Sequence, residues 1–245
     1  MIIERSMHPD WLSNAYLVAD REGGTAVVID SGGPSGDLLA AAERLGVDVQ
    51  LLLLTHHHAD HVAENSVWKE RHGVEILTHP LEADLLEDVD RTIEAGEIVE
   101  AGGLAIDSVL TPGHTAGMLN FIVDGNVFTG DTLFKGSVGG VRAPGSTSFA
   151  DLKRSIMEVL MALPKDTRVH PGHTDPTTIA AEWEGNAFVR LWRGIDDESS
   201  ERCRVFEDEA TLVLWAPDYD GGYKAWVRWD DGADDIVPGS AVTRG

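Results

Sequence analysis

Thr55-His56-His57-His58-Ala59-Asp60-His61 is the stretch on which the reading of this chain turns. It follows Val49-Gln50-Leu51-Leu52-Leu53-Leu54, an aliphatic run that predicts a strand buried on both faces. His56, His58, His61 and the Asp60 carboxylate crowd into six positions. Desolvating several polar rings together is costly unless something coordinates them. A borderline or hard cation does so, because neutral imidazole nitrogens and carboxylate oxygens are its natural ligands. Where a chain leaves a strand for a helix, positions 56 and 58 can converge on one point and 60 and 61 on a second. The structural alternative is a solvated polar turn whose histidines are incidental.

Composition narrows the partners. The 245 residues, 42% hydrophobic and 25% charged, are ordinary for a globular protein. The formal charge of −23 is not ordinary. Such a surface repels phosphate backbones and anionic lipid, so neither nucleic acid nor membrane is an expected partner. Met1-Ile2-Ile3-Glu4-Arg5 has no basic segment leading an apolar run, and no stretch reaches the roughly 18 apolar residues of a membrane span. The one cysteine, Cys203, rules out an internal disulfide framework and fits a reducing cytoplasm.

Taken in order, the chain opens with short apolar segments at 2–3, 15–18 and 25–29, separated by turn formers, which predict an antiparallel meander. A helix is expected over 37–45, another over 62–72 behind the histidine cluster, a strand over 74–77 and a short helix over 81–86. Strands follow at 104–110, 120–123 and 126–128, the last two joined by the tight Asp124-Gly125 turn. Then come a helix over 149–163, a strand over 168–170 and a helix over 177–184. The pattern favours two sheets packed face to face and covered outside by helices. After residue 195 the texture changes. The charged run Asp196 to Glu201 leads into strand-like runs at 210–215, 224–229 and 234–237. Residues 1–195 are therefore expected as the main domain, and 196–245 as an acidic linker and small β-rich extension that packs on the body or on a second copy of the chain. The extension's Trp215, Tyr223, Trp226 and Trp229 read as packing residues rather than a ligand cleft.

Three more loops carry coordinating side chains at strand ends, where function concentrates. They are Thr111-Pro112-Gly113-His114-Thr115-Ala116-Gly117, Phe128-Thr129-Gly130-Asp131-Thr132-Leu133-Phe134 and Val169-His170-Pro171-Gly172-His173-Thr174-Asp175. Small residues flank one ligand in each, letting backbone approach a shared centre closely. With the first cluster they supply five histidines and two aspartates. This set resembles the metallo-β-lactamase-fold hydrolases, specifically the hydroxyacylglutathione hydrolase (glyoxalase II)-like branch, over roughly residues 10 to 190, the first cluster fitting that family's T-H-x-H-x-D-H motif. The resemblance implies that His56, His58 and His114 bind one metal, that Asp60, His61 and His173 bind a second, and that Asp131 bridges them. It also implies an α+β fold, the four-layer αββα metallo-β-lactamase sandwich, here with a small C-terminal β appendage.

The expected activity is that of a binuclear metal-dependent hydrolase. Two divalent ions roughly 3.5 Å apart lower the pKa of a shared water, giving a bridging hydroxide that attacks an acyl carbon. Asp60 and Asp131 are the expected catalytic carboxylates. Zinc is the expected ion, and iron or manganese suits the same donors. The expected substrate is a small acyl compound, a thioester or other ester. Asp131 separates the chain from true β-lactamases, which resemble this set but replace the bridging carboxylate. Where glyoxalase II has a basic residue nine positions beyond that carboxylate, this chain has Gly140. Other readings on the same fold are a one-iron persulfide dioxygenase, a lactonase and a phosphodiesterase. The dioxygenases resemble the first cluster but carry G-R-T-D-F where this chain has Gly139-Gly140-Val141-Arg142-Ala143. A metal-binding scaffold without catalysis fits poorly with a complete ligand set. His57, between two ligands, is expected to point away, and His8, His72, His79 and His170 have no place in the motif. Thr55 is expected to satisfy backbone groups in the loop.

Overall fold

In the computed structural model, which describes residues 1–245, the apolar segments that open the chain pair with their neighbours. Strands β1 (Ile2–Met7), β2 (Asn14–Ala19) and β3 (Thr25–Ile29) form the antiparallel meander expected from their short turns. From β3 onward the connections lengthen and the pairing becomes parallel, since parallel neighbours need a crossover. Helix α1 (Ser35–Leu45) carries the chain to β4 (Asp48–Leu53). Helices α2 (Ala59–Val62) and α3 (Asn65–His72) carry it to β5 (Glu75–Thr78), and α4 (Pro80–Ala83) precedes β6 (Arg91–Thr92), the sixth strand of this sheet. Strands β7 (Ile98–Ala101), β8 (Leu104–Leu110), β9 (Leu119–Val123) and β10 (Asn126–Gly130) run as a second antiparallel meander. The turn between β9 and β10 is Asp124-Gly125, with φ of 46° and 72°, the doubly left-handed form that matches strand twist.

The period-two alternation of strands sorts these side chains into two cores. Leu17, Val28, Leu52 and Leu54 face α1, where Leu38, Ala42 and Leu45 meet them together with Trp68 of α3. Tyr16, Val18, Val27, Ile29, Leu53 and Leu77 face the other way, onto Val99, Leu104, Ile106, Leu119, Phe121 and Phe128 of the second meander. Helix, sheet and sheet thus stack in the order the segment pattern predicts.

These elements belong to one compact unit, Met1–Leu110 with Gly117–Gly130 and His170–Thr174; Thr111–Ala116, Asp131–Val169 and Asp175–Gly245 form the other. In the second unit, β11 (Leu133–Phe134) and β12 (Ser137–Val138) make a short hairpin. Helix α5 (Phe149–Arg154) runs into a π-helical turn over Ser155–Val159 and a 3₁₀ turn over Leu160–Ala162, in place of the single α-helix expected over 149–163. Strand β13 (Arg168–Pro171) crosses the boundary between the units and pairs antiparallel with β14 (Thr177–Thr178). Helices α6 (Ile179–Gly185) and α7 (Ala187–Trp192) follow, each opened by a side-chain cap, Thr178 and Asn186. The C-terminal segment forms a five-stranded antiparallel sheet of β15 (Glu201–Val205), β16 (Asp208–Pro217), β17 (Tyr223–Trp229), β18 (Asp234–Pro238) and β19 (Val242–Arg244). Trp226 packs it against Phe149 and Trp192, with ring centroids at 4.9 and 6.5 Å.

Several boundaries differ from expectation. No strand is expected between residues 87 and 103, a stretch rich in acidic residues, yet β6 and β7 form there; β6 is only Arg91-Thr92, with no apolar residue, and β7 is four residues long. The helix expected over 62–72 begins at Asn65, because α2 forms its own turn first. The helix expected over 81–86 is one turn started by Pro80. No helix is long and apolar enough to cross a membrane.

Candidate metal centre

The four loops singled out above all leave buried strand ends. In the first unit, β4 delivers the chain into Thr55 and His56, which are 1% and 0% exposed, and His58 caps the single turn of α2 from which Asp60 and His61 project. Gly32 lies against this turn. A Cβ there would sit 1.4 Å from the Asp60 carbonyl oxygen, so only glycine lets the two loops meet. The His173 loop is fastened by β2: Asn14 Nδ2 donates to the carbonyls of Pro171 and Thr174 at 2.9 and 2.8 Å, and the Tyr16 hydroxyl donates to Pro171 at 2.7 Å. The donor atoms of Asp60, His61 and His173 lie within 4.8 Å of one another. The rings of His56 and His61 are 4.3 Å apart, and those of His56 and His58 4.6 Å. In the second unit, His114 Nε2 lies 3.5 Å from Asp131 Oδ2.

The tautomers reveal what these rings are arranged to bind. Thr55 donates its hydroxyl to Asp30 Oδ2 at 2.8 Å, so His56 Nδ1, 3.0 Å from Thr55 Oγ1, is the donor in that contact. His61 Nδ1 donates to Asp30 Oδ2 at 3.0 Å, His173 Nδ1 to the Trp11 carbonyl at 3.1 Å, and His114 Nδ1 to the Gly140 carbonyl at 2.8 Å. Four imidazoles therefore have Nδ1 committed to an oxygen and present Nε2 as the electron-pair donor, the arrangement in which metal-ligating histidines are held. Charged histidine–aspartate pairing is a poorer description. The Asp60 Oδ2 distances to His61 Nε2 and His173 Nε2 are 3.6 and 3.4 Å, long for charge-assisted hydrogen bonds. These donors fit a bound cation.

Two carboxylates essential to this arrangement were not among the sequence-derived candidates. Asp30, 2% exposed and at φ 56°, accepts from Thr55 N and Thr55 Oγ1 at 2.8 Å each and from His61 Nδ1. Its only signal is a lone aspartate at a strand end before Ser31-Gly32-Gly33-Pro34. Glu82, 1% exposed, accepts from His57 N and Gly117 N at 3.0 and 2.8 Å and meets His57 Nδ1, committing that nitrogen to a carboxylate while the His57 and His58 rings stay 4.7 Å apart. It stands in a stretch rich in acidic residues, where one glutamate carries no separate signal. The other histidines have structural roles. His8 stacks on Trp11, His72 on Trp68 and His170 on Phe128, while His79 caps α4. Cys203 is buried in the C-terminal sheet, where desolvation pushes its thiol pKa up and disfavours the reactive thiolate.

Residues 8–173 match the Metallo-beta-lactamase superfamily. The chain is 32% identical over 173 residues to "Probable polyketide biosynthesis zinc-dependent hydrolase BaeB" of Bacillus velezensis, covering 69% of this chain and 76% of that one. It is 36% identical over 163 residues to a "Hydroxyacylglutathione hydrolase" of Chelativorans sp., covering 64% of this chain but only 60% of that enzyme. Among solved structures, TTHA1623 in a di-iron-bound form superposes with a TM-score of 0.64 at 33% identity, covering 75% of this chain and 98% of that one. With its mixed α+β sheets and a match spanning most of its length, the chain belongs to the metallo-β-lactamase superfamily.

Proposed function

We propose that the protein is a binuclear metal-dependent hydrolase that cleaves an acyl bond, in a thioester or another ester. His56, His58 and His114 are assigned to one divalent ion, Asp60, His61 and His173 to a second, and Asp131 to both. The observation that carries this reading is the shared tautomer: His56, His61, His114 and His173 each commit Nδ1 to an oxygen and offer Nε2. The zinc-dependent and hydroxyacylglutathione hydrolase relatives support metal-assisted hydrolysis, and the di-iron relative supports two ions.

The chemistry that divalent ions held by these residues would supply is acidification of a bound water and polarisation of the acyl carbonyl. The protein's own part is positional. Asp60 is the accessible member of its group, with a side chain 29% exposed against 0% for His61 and 2% for His173. Its carboxylate is therefore the one that accepts a hydrogen bond from the attacking water and aims it at the substrate. Asp30 and Thr55 hold His56 and His61 in register, and Gly140 does the same for His114.

The test is elemental analysis of protein purified without chelator, coupled to assays on thioesters, esters, lactones and phosphodiesters. The expected result is about two equivalents of metal per chain and Asp131→Ala reduced to background. One iron per chain with oxygen consumption on persulfides would instead establish the dioxygenase reading.

A further inference from the structure

The second unit contains a cavity of about 270 Å³ bordered by His114 and Asp131. Much of its wall comes from the C-terminal sheet and the turn within it: Tyr219, Lys224, Ile236 and Pro238. This sheet is not loosely attached. Lys224 is 6% exposed, and its Nζ lies 2.6 Å from the Val138 carbonyl and 3.0 Å from Asp218 Oδ1. Asp218 Oδ1 accepts in turn from Ser137 Oγ at 2.8 Å. The pair thus grips both residues of β12, two positions before the carbonyl of Gly140 that fixes the His114 tautomer.

The cations lining the cavity are already matched. The Lys224 ammonium serves a carboxylate and a carbonyl, and the rings of Phe134 and Tyr219 lie 5.2 and 5.3 Å from it. Arg142 lies 3.5 Å from Asp235 Oδ2, and Asp220 accepts from Gly222 N. An incoming carboxylate would have to break one of these pairs and enter beside Asp218 and Asp220. A compact uncharged group meets no such obstacle and gains contact with Phe134, Tyr219 and Ile236.

We propose that the C-terminal sheet is the specificity element of this protein, forming with Asp218 and Lys224 a subsite for a compact, uncharged substituent of the acyl substrate. This rests on the acyl-hydrolase reading, and the experiment separates the two. The metal-loaded chain is assayed on acyl esters sharing one leaving group, acetyl, butyryl and benzoyl against succinyl. Binding of benzamide and benzoate to the metal-free chain is followed by NMR. The expected result is a kcat/KM about tenfold or more in favour of the uncharged acyl groups, and benzamide binding without benzoate binding. Asp218→Asn, which leaves Lys224 unmatched, narrows both preferences, and Ile236→Ala, which enlarges the cavity, moves the optimum toward larger uncharged acyl groups. Benzoate binding as tightly as benzamide, or a succinyl ester turned over as well as the others, overturns the proposal. So does an acyl preference untouched by both substitutions. If no acyl ester is hydrolysed while benzamide still binds at Tyr219 and Ile236, the subsite stands and the acyl-hydrolase reading falls.

Discussion

Asp30 shows what a single residue contributes here. A non-glycine residue at φ 56° is strained, and it persists because three donors, Thr55 N, Thr55 Oγ1 and His61 Nδ1, converge on its carboxylate. Asp30→Asn removes one acceptor oxygen and the charge that fixes the His61 tautomer. Metal affinity is expected to fall roughly 10- to 100-fold, measured by competition with a chromophoric chelator, with the fold retained by circular dichroism. Lys224 makes the complementary case. Burial lowers its pKa, while Asp218 pulls the ammonium back toward its charged form. Lys224→Met leaves Asp218 charged and unmatched in a site where it is 8% exposed, which is expected to cost about 3–5 kcal/mol in denaturant unfolding. The double variant Lys224→Met/Asp218→Leu is expected to recover much of that loss. The seven candidate donors were legible because coordinating residue types recur at strand ends in tight motifs. Asp30 and Glu82 were not, because a lone carboxylate in sequence looks the same whether it braces a buried loop or faces water.

Among the elements, the helical stretch after Ser148 separates what local pattern specifies from what packing imposes. Its start is local. Ser148 Oγ accepts from Asp151 N at 3.1 Å and donates to Asp151 Oδ2 at 2.7 Å, so Ser148→Ala is expected to cost about 1 kcal/mol in unfolding free energy. Its continuation is not local. Ser155 donates to the Pro112 carbonyl at 2.7 Å, and the helix widens to the π form at that residue before tightening to 3₁₀. The strand β4 was legible because its aliphatic run is long and each face finds a core. Strands β6 and β7 were hidden because two to four residues cannot establish a period.

For the molecule as a whole, charge decides the response to solvent. At −23 it repels itself, so raising salt from about 0.05 M to about 0.5 M is expected to raise the Tm through screening. Acid works on particular carboxylates. Lys69 beside Asp90 and Arg228 beside Glu198 hold those groups below their ordinary values of 3.8 and 4.5. Depressed folded values mean that the stabilisation is present above the unfolded values and is lost as pH falls through the folded ones. The Tm gap between the parent protein and Asp90→Asn/Glu198→Gln is therefore expected to stay constant from about pH 6 to 8 and to close below about pH 4. The sequence by itself determined the opening meander, the longer strands and helices, the two-sheet stacking and the set of candidate metal donors, because these depend on local periodicity and on residue types that have few other uses. Only the tertiary structure decided which nitrogen His56, His61, His114 and His173 offer, which buried carboxylates hold the loops, and that the C-terminal sheet walls a cavity beside His114 and Asp131. Those outcomes rest on contacts between residues as far apart as Val138 and Lys224, or Trp11 and His173, and no local spacing encodes which distant groups will meet.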